Sequence, residues 1–366
     1  MPSPGPSASH PQLDAGARLG HHHGMSTPRI LIAGIGGVGG VIAGRFISAG
    51  YDPILVTNNP TITTAINRDG IRVRENGDTT TVPAFVYTLM EEVPREVRID
   101  IAYLAMKANT VIDSAAQLYP LLSEEGFVVT LQNGIVEEIV GEAVGFDRVI
   151  SGIIAWGGTM ERAGHYAKTS PGATHIGELD GQRTPRLERV AEQLQCVGEV
   201  SVHTNIRGAL WSKLAINCVI TTVGAVTGET LGAMLARPEA RRIFLEAYTE
   251  VIDTAKAHGI HLERIAANPL LLYCPQNAGS WQRFKKDIIA RALGYKYRSV
   301  KSSMLQSLER NRPTEIDFLN GFVVEQAALV GVPTPMNEAL VVMVKEIEEG
   351  QRKVDPRNLD ALLAAV

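Results

Sequence analysis

The chain has 366 residues, 45% of them hydrophobic, a formal net charge of −4 and a pI near 6.2. That is enough chain for two domains and too much apolar content for wholesale disorder. The small negative charge offers no general attraction for nucleic acid or acidic membranes, so a polynucleotide partner is not expected and any anionic ligand must be held by local groups.

Cys196, Cys218 and Cys274 are far apart and show no Cys-x-x-Cys or Cys/His spacing. Neither a disulfide framework nor a metal site is indicated, and a reducing cytoplasm fits best. The most apolar stretch, Leu214 to Val226, is interrupted by Asn217 and by threonines, so no membrane span is expected. Residues 1–27 are rich in Pro, Ser, Gly, Ala and His and read as a disordered leader. The tract His21, His22 and His23 reads as a tail, and Met25 is a candidate start.

Order begins with the apolar run Arg29 to Ala33, followed at once by Gly34, Ile35, Gly36, Gly37, Val38 and Gly39 and then by a helical pattern to Gly50. Strand, glycine turn and helix in that order are the pattern of a dinucleotide site. Gly34 permits the tight turn, Gly36 lets the backbone approach a pyrophosphate, and Gly39 lets helix and strand pack closely. The next strand, Ile54 to Thr57, ends in Asn58 and Asn59 where the ribose of a dinucleotide is read. An acid there would read the 2′-hydroxyl of NAD and an arginine the 2′-phosphate of NADP. Asn58 is neither, so preference stays open.

Residues 71 to 87 alternate well enough for extra strands, and Ile99 to Met106 is a further core strand followed directly by Lys107. A helix over 109–122 leads to the strand Phe127 to Gln132, which stops at Asn133-Gly134 before another helix. Alternating strands and helices call for a doubly wound parallel sheet, which binds ligands beyond the carboxyl ends of its strands. The glycine turn, Lys107 and Asn133 all fall at that edge. Val149 to Trp156, His165 to Thr169, Ala173 to Glu178 and Glu199 to His203 read as later strands or hairpins. His165, His175 and His203 lack ligand spacing and read as structural or exposed.

From Ile206 onward 3.6-residue periodicity replaces short β runs. Helices are expected over 206–224, 237–258, 281–292, 297–311, 314–330 and 336–350, with Thr314 as an N-cap and Asp317 completing a capping box. The first of these sets Lys213 and Asn217 one turn apart on one face, with Thr221 a turn further, inside an otherwise apolar helix. An ammonium there either snorkels to the surface or is placed for proton transfer, because burying it unpaired is costly.

Together the glycine turn, Lys107 in Ala-Met-Lys-Ala, Asn133 in Gln-Asn-Gly, the stretch Asn205 to Ile220, Ser302-Ser303-Met304-Leu305-Gln306 and Pro313 to Gly321 resemble the ketopantoate reductase (2-dehydropantoate 2-reductase) family, over residues 29 to 350. The resemblance implies a Rossmann-type doubly wound α/β domain over 28–204 and an all-helical C-terminal domain over 205–366, like that of 6-phosphogluconate dehydrogenase. It implies NAD(P)H-dependent reduction of a 2-oxo acid in the cleft between them. Lys213 is then the general acid and Glu315 its polar partner; Lys107 and Asn133 line the nicotinamide side; Asn217, Ser303 and Thr221 meet the substrate. NADP(H) is the favoured cofactor of the family, with NAD(H) also open.

Three features depart from the family pattern. Thr221 stands where an asparagine is usual, Asn58 where NADP-using members often have arginine, and residues 268–300 are longer than the usual link. That insertion reads as an amphipathic helical hairpin, as a lid or pocket wall for a bulkier acid, or as the contact of a homodimer. The competing functions are an NAD-dependent D-2-hydroxyacid (mandelate-type) dehydrogenase and, from another class, a non-catalytic dinucleotide-binding protein.

Overall fold

The computed structural model describes residues 28–265 and 267–366; the leader, the histidine tract and Met25 lie outside the described residues. Twelve strands form among them: β1 (Ile30–Ala33), β2 (Ile54–Val56), β3 (Ile71–Glu75), β4 (Asp78–Val82), β5 (Val86–Tyr87), β6 (Ile99–Leu104), β7 (Leu122–Thr130), β8 (Val149–Ile154), β9 (Gly157–Arg162), β10 (His165–Ser170), β11 (Thr174–Glu178) and β12 (Val200–Val202). Eight make one sheet in the order β5-β2-β1-β6-β7-β8-β11-β12. The first six run parallel and β11 is antiparallel to β8. Helices α1 (Gly37–Ser48), α2 (Pro60–Asp69), α3 (Val111–Leu118), α4 (Glu137–Val144) and α5 (Pro185–Leu194) join the strands. Covered on both faces, central strands such as β1 and β8 are buried throughout, β1 as an unbroken apolar run and β8 interrupted only by Ser151 and Gly152.

Chain order reverses between β1 and β6, so the loops leaving those strands part and open a crevice at the carboxyl edge. The remaining strands form a second sheet, β4-β3-β10-β9, which packs on α1. Read from the sequence, these are extra strands or hairpins of the same domain, with no sheet assigned to them. Periodicity shows that a strand has a buried face, but not which sheet it joins.

From Ile206 every regular element is helical: α6 (Ile206–Thr227), α7 (Leu231–Ala236), α8 (Pro238–Ala257), α9 (Ser280–Lys296), α10 (Ser303–Leu308), α11 (Asn320–Val330), α12 (Pro335–Glu348) and α13 (Asn358–Ala365). The fold is thus a Rossmann-like parallel-sheet domain followed by a helical one. Asn205 caps α6 by accepting from the Gly208 N–H at 3.1 Å, and Gly228 ends it at φ 73°. By length and composition α6 is apolar enough to cross a bilayer. Its apolarity has a different cause here: sixteen of its twenty-two residues are buried, with α8, α10, α12 and α13 packed around it.

A buried polar network ties α6 to its neighbours. Thr222 Oγ1 donates to Asn320 Oδ1 at 2.6 Å, and Asn320 Nδ2 donates to Cys218 O at 3.0 Å and to Asn337 Oδ1 at 2.9 Å. Asn337 Nδ2 donates to Glu250 Oε2 at 2.6 Å, and the Glu250 carboxylate also accepts the Met336 and Asn337 N–H groups at 2.9 Å. Every member has its partners, which is what a buried polar group requires.

Two expected helices are shorter than their periodicity suggested. The span 297–311 is helical only over Ser303–Leu308, where Ser302 Oγ accepts from Leu305 N at 3.0 Å. The span 314–330 breaks into a 3-10 turn at Ile316–Phe318 and then α11. Thr314 Oγ1 accepts from Ile316 N at 3.2 Å, but the N-cap position of that turn is Glu315, one residue past the expected Thr314, and Asp317 leaves the expected capping box to pair with Lys345 of α12. The break holds Glu315 off the helix, turned toward the sheet edge.

The insertion is one long helix, α9, after a 3-10 turn at Pro269–Leu271. It is amphipathic in an unexpected sense. Its small residues Ala290 and Gly294 are buried against the helical domain, where α9 packs on α7 and α8. Trp281 and Tyr295 are turned outward at 65% and 75% exposure, so these aromatic side chains do not line a pocket.

Candidate active site

The glycine turn has the geometry its spacing predicts. Gly34 has φ +93°, and a Cβ there would lie 2.3 Å from Met106 N, so β6 crowds the turn and admits no side chain. At Gly39 a Cβ would fall 1.9 Å from Gly34 O, which lets α1 start directly against β1. At Gly36 a Cβ would meet nothing within 4 Å. That open space lies at the start of α1, whose N-cap makes no side-chain hydrogen bond, and unpaired helix N–H groups beside open space suit a pyrophosphate. Gly37 and Val38 are half-buried in the first turn of α1. Ile35 has a fully buried side chain that faces the core, and its carbonyl accepts from Tyr166 Oη at 3.0 Å. Asn58 is exposed just beyond β2, while Asn59 is used up as the α2 cap, accepting from Thr61 N at 3.0 Å.

Across the crevice the helical part meets the sheet edge. Gln132 Nε2 donates to Leu104 O at 2.9 Å and Met106 O at 3.2 Å, pinning the loop that carries Lys107. Lys107 Nζ donates to Ser307 Oγ at 2.5 Å, and the Ala108 N–H donates to Glu315 Oε1 at 3.2 Å. Asn217 Nδ2 reaches Asn133 Oδ1 at 3.5 Å. Thus Lys107, Asn133, Asn217 and Glu315, remote in sequence, share one seam.

Lys213 Nζ donates to Ile154 O at 2.7 Å, at the carboxyl end of β8. Burial pulls its pKa down to about 8 against the opposing pull of the Glu315 carboxylate. Glu315 is raised by burial, opposed first by the Lys107 charge, then by the Ala108 N–H and by Lys213. The two groups feel each other's charge, yet the hydrogen bond of each goes elsewhere. An ammonium with a carbonyl partner, a lowered pKa and no direct counter-ion is equipped to give up a proton.

Thr221 Oγ1 donates to Asn217 O at 2.7 Å, so its proton is committed to the helix backbone and only acceptor capacity remains for a ligand. Ser303 is exposed in the first turn of α10, on the same face as Ser307 four residues later, and it makes no cross-cleft bond to Lys107; Ser307 does. Sequence reasoning missed Ser307, which lies one residue past the recognised motif. It also missed the Ile154 carbonyl and the Ala108 N–H, since backbone groups carry no sequence signal.

The family model for ketopantoate reductase PanE/ApbA matches residues 30–181, and that for the ketopantoate reductase PanE/ApbA C terminal matches residues 205–348. The chain belongs to the ketopantoate reductase family, which is a family of oxidoreductases. A 2-dehydropantoate 2-reductase of Mesorhizobium japonicum is 27% identical over 341 residues, covering 87% of this chain and 97% of that one. One from Pyrococcus horikoshii is 28% identical over 329 residues, with 87% and 97% covered. Among solved structures, a PanE/ApbA family ketopantoate reductase from Ralstonia eutropha JMP134 superposes with a TM-score of 0.75 at 23% identity, covering 89% of this chain and 100% of that one. A D-mandelate dehydrogenase with NADH and anilino(oxo)acetate gives 0.76 at 20% identity, with 88% and 98% covered. At such identities these structures establish the shared fold.

Proposed function

We propose that this ketopantoate reductase family member uses a reduced nicotinamide dinucleotide to convert a 2-oxo acid, 2-dehydropantoate or a related acid, to the 2-hydroxy acid. The observation that carries this reading is Lys213, set at the crevice with its pKa lowered to about 8 and its charge facing Glu315. Residues 28–204 hold the dinucleotide and 205–366 present the acid and its proton donor. The dinucleotide, when bound, supplies the hydride. Lys213 donates a proton to the substrate oxygen as negative charge builds there. Glu315, fixed by the Ala108 N–H, keeps the ammonium from being an uncompensated charge. Lys107 and Asn133 orient the dinucleotide side, and Asn217 and Ser303 orient the acid. Consumption of reduced dinucleotide on addition of a 2-oxo acid tests the proposal.

Thr221 sets the choice among acids. With its hydroxyl proton on Asn217 O, it cannot donate as the family's asparagine can. Thr221→Asn is expected to lower KM for 2-dehydropantoate relative to phenylglyoxylate, read from paired steady-state titrations; an unchanged ratio would remove Thr221 from the substrate contact.

Asn58 bears on the cofactor. It is exposed where the 2′ position is read, and the neighbouring turn after β5 carries Glu92, which accepts from Thr88 N at 2.8 Å. A neutral amide gives a 2′-phosphate no cation, so NADH and NADPH should bind with similar affinity. Asn58→Arg is expected to tighten NADPH selectively by roughly tenfold, the worth of one exposed charge-assisted contact. Calorimetric titration of both dinucleotides checks this.

A further inference from the structure

A pair of histidines lies where β11 faces α6. His175 Nδ1 and His203 Nε2 are 2.8 Å apart. His175 is buried on β11 at 6% exposure, and His203 is half-buried in the link between β12 and α6. The strand register gives their relation to the catalytic lysine. His175 is opposite Ile153 on β8, and directly opposed residues share a face. Ile153 packs against Ile206, Ala209 and Leu210, so that face looks onto α6. Gly177, on the same face of β11, lies under Ile206, while Ile154, whose carbonyl holds Lys213, is opposite Thr174. Two residues along a strand cover about 6.6 Å, somewhat more than one helical turn. His175 therefore lies beneath the stretch of α6 that ends at Lys213.

We propose that His175 and His203 form a proton relay that recharges Lys213 from the protein surface after each turnover. The inference rests on Lys213 as the proton donor of the proposed reaction. During reduction the crevice face of Lys213 is covered by substrate, and the amine left behind must regain one proton before the next cycle. The Lys213 amine, itself bonded to Ile154 O at 2.7 Å, takes its proton from His175 through an intervening water, His175 takes one from His203 across the 2.8 Å contact, and His203 takes one from solvent. One proton enters for each one delivered. The charged groups facing the pair are Lys213 of α6 and Glu263 of the loop after α8. Burial, then the charges of His203 and Lys213, push His175 down to about 4, so at neutral pH it is a neutral ring that can pass a proton in either direction. Glu263 beside His203 supports transient charge at the outer end, although burial still holds His203 below its ordinary value. Among the described residues His175 Nε2 has no hydrogen-bond partner, and it is not a sealed atom, since the sealed unpartnered side-chain atom is Arg45 Nε.

The test separates the first turnover from later ones in His175→Gln and in His203→Gln, the latter being half-exposed and tolerant of change. Lys213 enters the first cycle already protonated, so single-turnover oxidation of pre-bound reduced dinucleotide should keep its rate. Steady-state kcat should fall roughly tenfold, leaving a burst, and added imidazole should restore it. Equal single-turnover and steady-state rates, or a parallel fall in both without rescue, would overturn the relay. Lys213→Ala run alongside shows whether the donor assignment itself has failed, because full single-turnover activity in that variant would remove it and the relay together.

Discussion

Lys213→Ala should lower kcat by about two to four orders of magnitude, the usual contribution of a positioned proton donor, while the affinity for the dinucleotide stays close to that of the parent. Lys213 is on α6 and the glycine turn follows β1, so the two readouts are separable. The pH profile carries the same information. In the proposed reaction the acidic form of Lys213 is the active one, and burial brings its pKa to about 8, so reduction should be fast below that value and fall as pH rises through it. A profile flat from pH 7 to 9 would place the proton donor elsewhere.

The second large effect lies in the support beneath α6. Glu250→Ala would strip the acceptor from three buried donors, the Met336 N–H, the Asn337 N–H and Asn337 Nδ2. Asn337 Nδ2 keeps the Ala247 carbonyl at 3.0 Å, and each of the two unsatisfied N–H groups costs about 1–3 kcal/mol, so the helical domain should lose roughly 2–6 kcal/mol, read as a lower urea midpoint. The same side chain gives a pH dependence. Burial raises the Glu250 carboxyl to about 7, so the protonated form is the one folding favours. Its contribution is complete below the unfolded value near 4.5 and is lost as pH rises through about 7. Stability should therefore decline from pH 5 to pH 8 in the parent, and Glu250→Gln should flatten that decline.

What could be read from the sequence followed from local constraints. Gly34 and Gly39 were legible because backbone crowding admits nothing else, and the helix from Ile206 because Asn205 and Gly228 cap an apolar run. Lys213 was legible as an anomaly, a charge in a helix that has to be buried. The placement of Glu315 was less so: expected as the polar partner of Lys213, it feels that charge while its hydrogen bond goes to the Ala108 N–H, a placement that depends on the broken helix after Pro313. Ser307, the Ile154 carbonyl and the His175–His203 contact depend on tertiary register, which periodicity does not contain. The insertion shows the same limit. Its amphipathic pattern was visible, but which face α7 and α8 would cover was not, and they cover the small residues of α9 and leave the aromatic ones outside.

The most direct test is the near-ultraviolet absorbance of NADH and NADPH followed as 2-dehydropantoate, phenylglyoxylate and other 2-oxo acids are added to the purified protein. At least one acid should be reduced with loss of one reduced dinucleotide per 2-hydroxy acid formed, and Lys213→Ala should abolish most of that loss. Tight binding of either dinucleotide with no oxidation by any 2-oxo acid would contradict the account and leave a dinucleotide-binding protein without this chemistry.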